Sequence, residues 1–135
     1  MRVVLVFGGR NKKIELFIKE LYSIFQKRGS ELKVLRAEKG ISSYNFLPFD
    51  FILVGCPVTS FFKGKIPLEL TDYIKKCSGL ERKKSIVFVI PKLFGNDRTI
   101  KNLMGLLENK GSFVIDFLQV RDIVRDSKLL ISHLK

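Results

Sequence analysis

The sequence contains no tryptophan, a single histidine, two cysteines and four prolines in 135 residues. Each scarcity removes a class of chemistry. The only histidine, His133, stands at the tail of the sequence, which leaves no Ser/His/Asp or Cys/His catalytic set to draw. Cys56 and Cys77 lack a CxxC partner. With one histidine beside them, they exclude ordinary structural zinc and iron–sulfur frameworks built from this chain alone. Two buried, reduced thiols are the plain expectation, because free cysteine is among the most buried residue types. No arginine follows Cys56 within ten residues, so a cysteine phosphatase loop is rejected. Acidic side chains are few, 13 against 25 basic ones, and no two fall at the expected strand ends. That argues against hydrolytic acid–base catalysis, and any reaction would have to be carried by a cofactor. No apolar run approaches the length of a membrane span. The opening Met1–Phe7 lacks a long hydrophobic region and a small-residue cleavage site, and it runs into a Gly-rich turn. It reads as a first strand and not as a signal peptide, and the protein is expected to be cytoplasmic, with no membrane partner.

What is present is a strongly patterned chain, 46% hydrophobic. At this length it is expected to form a single domain over 1–135 with its own core. Residues 2–7 predict strand one. Ile14, Phe17, Ile18, Leu21 and Phe25 recur at helical spacing and predict a helix ending near Gly29. Residues 32–36 predict a partly alternating edge strand. Residues 37–48, with Gly40, Ser42, Ser43, Asn45 and Pro48, predict a short helix or an irregular crossover. Residues 50–55 form an almost continuous apolar run, expected to be a strand buried on both faces. Pro67 suits a helix start, and Leu70, Tyr73, Ile74 and Cys77 give its stripe. Residues 85–90 predict a second central strand. Asp97 is expected to cap a helix carrying Ile100, Leu103, Met104 and Leu107 as far as Gly111. Residues 113–118 predict the last strand, and 121–135 a terminal helix with Asp126 as a candidate cap. Alternating strands and helices imply an α/β three-layer αβα sandwich over a five-stranded parallel sheet in order 2-1-3-4-5. In that order the switch point lies between strands one and three, where ligands usually bind.

Three loops meet there. Gly8-Gly9-Arg10-Asn11-Lys12-Lys13 places backbone N–H groups and three cations at a helix start. This arrangement favours an anion such as phosphate, although a tight turn with solvated lysines would need the same glycines. The turn is neither a G-x-G-x-x-G fingerprint nor a P-loop. Gly55-Cys56-Pro57 stands where a receiver-type phosphoacceptor site would need an aspartate. The loop after strand three carries Pro57, Val58, Thr59, Phe61 and Phe62. The loop after strand four carries Leu93, Phe94 and Gly95. Aromatic rings at such a rim can cover a flat heterocycle. For Phe94 the preferred expectation is that it turns inward to cap the core. Of the adjacent Phe61 and Phe62, at least one is expected to face solvent or ligand.

Asp50-Phe51-Ile52-Leu53-Val54-Gly55-Cys56-Pro57-Val58 resembles the third strand of the flavodoxin-like family, D-x-(apolar)₃-G-[ST]-P-V/T. Pro67 and the helix after it follow at the family's spacing. Leu80 to Val89 is similar to the family's entry to strand four. The resemblance covers nearly the whole chain and implies FMN as cofactor. It implies that the phosphate meets Gly8, Gly9, Arg10, Asn11, Lys12 and Lys13. The ring would lie between Pro57, Val58, Thr59, Phe61 and Phe62 on one side and Leu93, Phe94 and Gly95 on the other. It further implies FMN-dependent electron transfer or flavin redox chemistry, with electrons passed to a protein or small acceptor; the basic charge of the chain makes an acidic redox partner protein one expected acceptor. If the chain is an enzyme, it would be an FMN-dependent oxidoreductase. Three features depart from the family. The first turn has no hydroxyl and is short, only phenylalanine is available to stack, and the net charge is +12 where family electron carriers are typically acidic.

That charge attracts anionic partners, or it is simply a lysine-rich solvated surface with scattered cations. A second expectation therefore stands beside the first. The domain would have lost FMN and would act as a binding or regulatory module for an acidic protein, a nucleotide or nucleic acid. Nucleic acid is the weaker branch, since no stripe interleaves aromatic and basic residues.

Overall fold

The structure, a computed structural model, describes residues 1–38, 44–59 and 63–134. Among the described residues nine elements follow in order: β1 (Arg2–Phe7), α1 (Lys12–Lys27), β2 (Glu31–Arg36), β3 (Phe51–Pro57), α2 (Leu68–Lys76), β4 (Lys84–Ile90), α3 (Asn96–Glu108), β5 (Phe113–Gln119) and α4 (Ile123–Ser132). The strands form one parallel sheet in the order β2-β1-β3-β4-β5, as the alternation of elements predicts.

Side-chain alternation divides the core into two layers. On one face Val4, Val6, Ile52, Val54, Val87 and Val89 pack under Leu70, Tyr73 and Ile74 of α2 and Ile100, Leu103 and Leu107 of α3. On the other, Val3, Leu5, Leu53, Ile86 and Phe88 pack under Ile14, Phe17 and Leu21 of α1 and Leu130 and Ile131 of α4. All seven residues of β3 are buried, while β2 and β5 stay partly open. This is how a parallel sheet with helices on both faces distributes its apolar runs. Cys56 and Cys77 are both buried and free, as expected. Burial pushes the Cys56 thiol up to about 12 and raises that of Cys77 as well.

The structure differs from the sequence expectation at several boundaries. β3 runs on to Pro57, two residues further than the expected stop at Gly55. Proline is tolerated because backbone groups alternate sides along the strand. Gly8 N–H bonds the Gly55 carbonyl on the β1 side, and Val58 N–H bonds the Ile90 carbonyl on the β4 side. Position 57 therefore faces β1, whose ladder with β3 has already ended at Phe7–Gly55, and no bond is lost. Asp97 does not cap α3. The helix begins at Asn96, and Gly95 holds the cap position at φ +82°. Asp126 does not cap α4 either. Asp122 does, accepting from Arg125 N–H, while the buried Asp126 carboxylate accepts from the N–H groups of Arg121 and Asp122 at 2.8 and 2.9 Å. The described part of the β2–β3 crossover, from Tyr44 onward, carries no helix. It is held by Phe46 N–H to Ser78 O and Ser78 N–H to Tyr44 O, with Phe46 fully buried.

Candidate functional site

The register brings the ends of β1, β3 and β4 side by side, with Phe7 opposite Gly55 and Pro57 opposite Ile90. The first turn is pressed onto that floor. A Cβ on Gly8 would stand 2.8 Å from Leu70 Cβ, and one on Gly9 2.9 Å from Pro57 Cδ. Gly9 also has φ +83°, a conformation that side chains oppose. Both glycines are therefore required by close approach, and Pro57 backs the turn.

Asn11 takes the N-cap of α1, its Oδ1 accepting from Lys13 N–H at 2.9 Å and Ile14 N–H at 3.1 Å. Two of the helix's free donors are thereby satisfied internally. Preceding them, the N–H groups of Gly9, Arg10, Asn11 and Lys12 have no hydrogen-bond acceptor among the described residues. Unpaired backbone donors at a helix start favour an anion. Arg10 and Lys12 are exposed beside these donors and make no ion pair among the described residues. Lys13 is engaged elsewhere, its Nζ donating to the Arg121 carbonyl at 2.8 Å, so it bridges α1 to the loop after β5. The sequence reading gave Asn11 and Lys13 no such duties. Asn immediately before a helical period is a cap signal, which makes the first of these findable. The second depends on the approach of α1 to α4.

The expected ring-binding residues divide three ways. Val58 is 1% exposed and packs in the α2/α3 layer, so only its backbone borders the cleft. Pro57 is buried as well, whereas Thr59 is exposed. Phe61 and Phe62 lie outside the described residues. In the loop after β4, Leu93 is 87% exposed and Phe94 60% exposed. Phe94 thus does not turn into the core, contrary to expectation. The loop is clamped instead by Asn96, whose Oδ1 accepts Lys92 N–H at 2.8 Å and whose Nδ2 donates to Lys92 O at 2.6 Å. Those two bonds close the 92–96 turn, and Leu93 and Phe94 stand exposed on it. The loop after β3 is fixed at its far end, where Asn102 Nδ2 donates to Gly64 O at 2.7 Å.

A flavin phosphate fits what is present: four open donors, two exposed cations and no carboxylate between residues 8 and 13. An apolar ring has Leu93 and Phe94 to lie against. Among the described residues no group of three or more His, Cys, Asp or Glu could hold a metal ion.

Solved structures share the fold. Oxidised flavodoxin 1 from Bacillus cereus matches with a TM-score of 0.75 at 17% identity, covering 100% of both chains. A flavodoxin from Streptococcus pneumonia matches at 0.75 and 13% identity, covering 99% of this chain and 97% of that one. General stress protein 14 from Treponema denticola, solved in complex with FMN, matches at 0.65 and 8% identity over 100% of both chains. No protein-family model and no curated protein matches the sequence. At these identities the likeness establishes the fold, and the fold is flavodoxin-like.

Proposed function

We propose that this flavodoxin-like chain binds FMN and serves as a one-domain carrier or user of flavin electrons. The observation that carries the proposal is the run of four N–H groups from Gly9 to Lys12 without acceptors among the described residues, with Gly9 close against Pro57 at the sheet's switch point. These donors and Arg10 would receive the phosphate, and Lys12 would add charge from the rim. Leu93, Phe94 and the loop after β3, Phe61 and Phe62 included, would border the ring. Flavin, when bound, supplies reversible acceptance of one or two electrons. The protein's part is to hold the phosphate, orient the ring and limit its contact with water. A membrane role is not invoked, since no helix among the described residues is long and apolar enough to cross one. A cytoplasmic setting belongs to the proposal. Mixing the folded protein with FMN is expected to quench flavin fluorescence stoichiometrically and to shift the visible absorbance. A well-folded chain that takes up no flavin would overturn the reading.

One observation favours a second reading. Asn11 occupies two α1 donors and the first turn has no hydroxyl, while the chain carries a net charge of +12. Under this reading the domain binds an anionic macromolecule through its cations. Binding to DNA or RNA should then be detectable at low salt and fall steeply as salt rises. No retardation at low salt would remove the nucleic-acid branch.

A further inference from the structure

We propose that the outer edge of the sheet at β5, with the cleft between β5 and α4, docks an acidic segment of a partner protein that carries one large apolar anchor. The site lies apart from the flavin reading, because β5 is the last strand of the sheet, with β4 between it and β3. The two edges of the sheet are built oppositely. On β2 the exposed positions are Glu31 and Lys33, charges of the kind that keep an edge in water. On β5 all three exposed positions are large and apolar, Phe113, Ile115 and Phe117. An exposed apolar patch with a polar rim marks an interaction site.

The backbone of this edge offers no unbroken ladder to a further strand. Its register with β4 shifts between Ser85 and Ile86 and skips Ile115, and the Phe117 N–H is taken by Asp116 Oδ1 at 2.7 Å. Recognition therefore falls to side chains. Phe117, Leu118, Leu129 and His133 line a cleft of about 220 Å³. A cavity of about 150 Å³ holds benzene, so this cleft has room for one aromatic or branched aliphatic side chain. The one carboxylate lining it is Asp116, whose second oxygen pairs with His133 Nδ1, so neither oxygen is left over. The rim on the α4 side is basic. Arg121 is held at the end of β5, its Nη2 donating to Gln119 Oε1 at 2.7 Å. Arg125 reaches Asp126 at 3.4 Å yet keeps 67% of its side chain exposed. It lies one helical turn before Leu129, in one row with Leu129 and His133. Lys128 is exposed beside Leu129, with no ion pair among the described residues. The acids of the same stretch, Asp122 and Asp126, accept backbone N–H groups. An apolar centre inside a cationic rim fits an apolar anchor flanked by carboxylates. A second copy fits poorly, since it would bring a net charge of +12 and the same three cations to the same rim.

Amide-shift titration of the full chain tests this with a short peptide of glutamates flanking one phenylalanine. The peptide is expected to bind saturably and to move the amides of β5 and of Leu129. Phe117→Ser and Leu129→Ser should each weaken it about tenfold or more. Both side chains are exposed, so both variants should keep the parent's fold; if one fails to fold, the other decides. Lysine in place of the peptide's glutamates should weaken binding about tenfold or more as well, as should Arg125→Glu combined with Lys128→Glu. No saturable binding, equal binding of the lysine peptide, or shifts confined to the first turn would overturn the docking site. Unchanged affinity in folded Phe117→Ser and Leu129→Ser would overturn it too. A dimer in sedimentation that Phe117→Ser dissolves would give the face to a second copy and overturn the acidic partner. FMN titrations of the two variants should match the parent's, so failure of either reading leaves the other standing.

Discussion

At the scale of single residues, glycine and burial decide most. Gly55 sits beneath the Phe88 ring, whose Cε2 would lie 2.2 Å from an added Cβ. Gly9 combines close contact with positive φ. We expect Gly55→Ala to cost about 1–3 kcal/mol or more through overpacking. Gly9→Ala should cost about 1–2 kcal/mol from the left-handed backbone alone. The two differ in function. Gly9→Ala should also weaken FMN by displacing the open donors, whereas Gly55→Ala should act on stability first. Denaturant midpoints and flavin titrations on both variants check this. Cys56 gives a second prediction at this scale. Its thiol is fully buried and pushed up to about 12, so it should resist a chromogenic disulfide reagent at neutral pH until the chain unfolds. Rapid labelling of the native protein at Cys56 would contradict the packing described.

Among the elements, helix starts repay attention because they carry both stability and site. Asn11→Ala removes the α1 cap and should cost about 1 kcal/mol, read as a shift in the denaturant midpoint. α4 uses a double device. Asp122 caps the helix, and buried Asp126 reaches back to the N–H groups of Arg121 and Asp122. Burial alone would raise the Asp126 pKa, but those two N–H groups and Arg125 outweigh it and hold it below the ordinary carboxylate value. A depressed folded pKa stabilises the native state above the unfolded pKa of about 4 and loses that contribution as pH falls through the folded value. Asp126→Ala should therefore destabilise by about 1–3 kcal/mol at neutral pH. The difference from the parent should shrink below about pH 4, measured by denaturant titration at several pH values. The periodic apolar positions announced the four helices among the described residues. The identity of two caps did not follow, because Asp97 and Asp126 compete with nearby Gly95 and Asp122, and only backbone geometry ranks them.

For the molecule as a whole, the net charge of +12 meets a cleft whose rim carries Arg10 and Lys12 without ion pairs among the described residues. Exposed charges are screened beyond about 8–10 Å at physiological salt. FMN affinity should accordingly fall as salt rises from low to physiological strength, and Arg10→Ala should flatten that dependence. Affinity indifferent to salt would place the phosphate away from these cations.

The sequence by itself determined the sheet order, because near-continuous apolar runs at 50–55 and 85–90 must be covered on both faces and parallel strands need crossovers. It also determined which three loops meet at the switch point, since topology alone gathers them. Tertiary packing decided what each loop residue does there. Val58 carries the family-like pattern, yet its side chain faces the α2/α3 layer because residues alternate along the extended chain. Lys13, a phosphate cation by sequence, also donates its Nζ to the Arg121 carbonyl of the loop after β5. Phe94 looked like a core cap, yet it stands exposed on the turn that Asn96 closes. Side-chain direction depends on neighbours distant in sequence, and no local pattern encodes it.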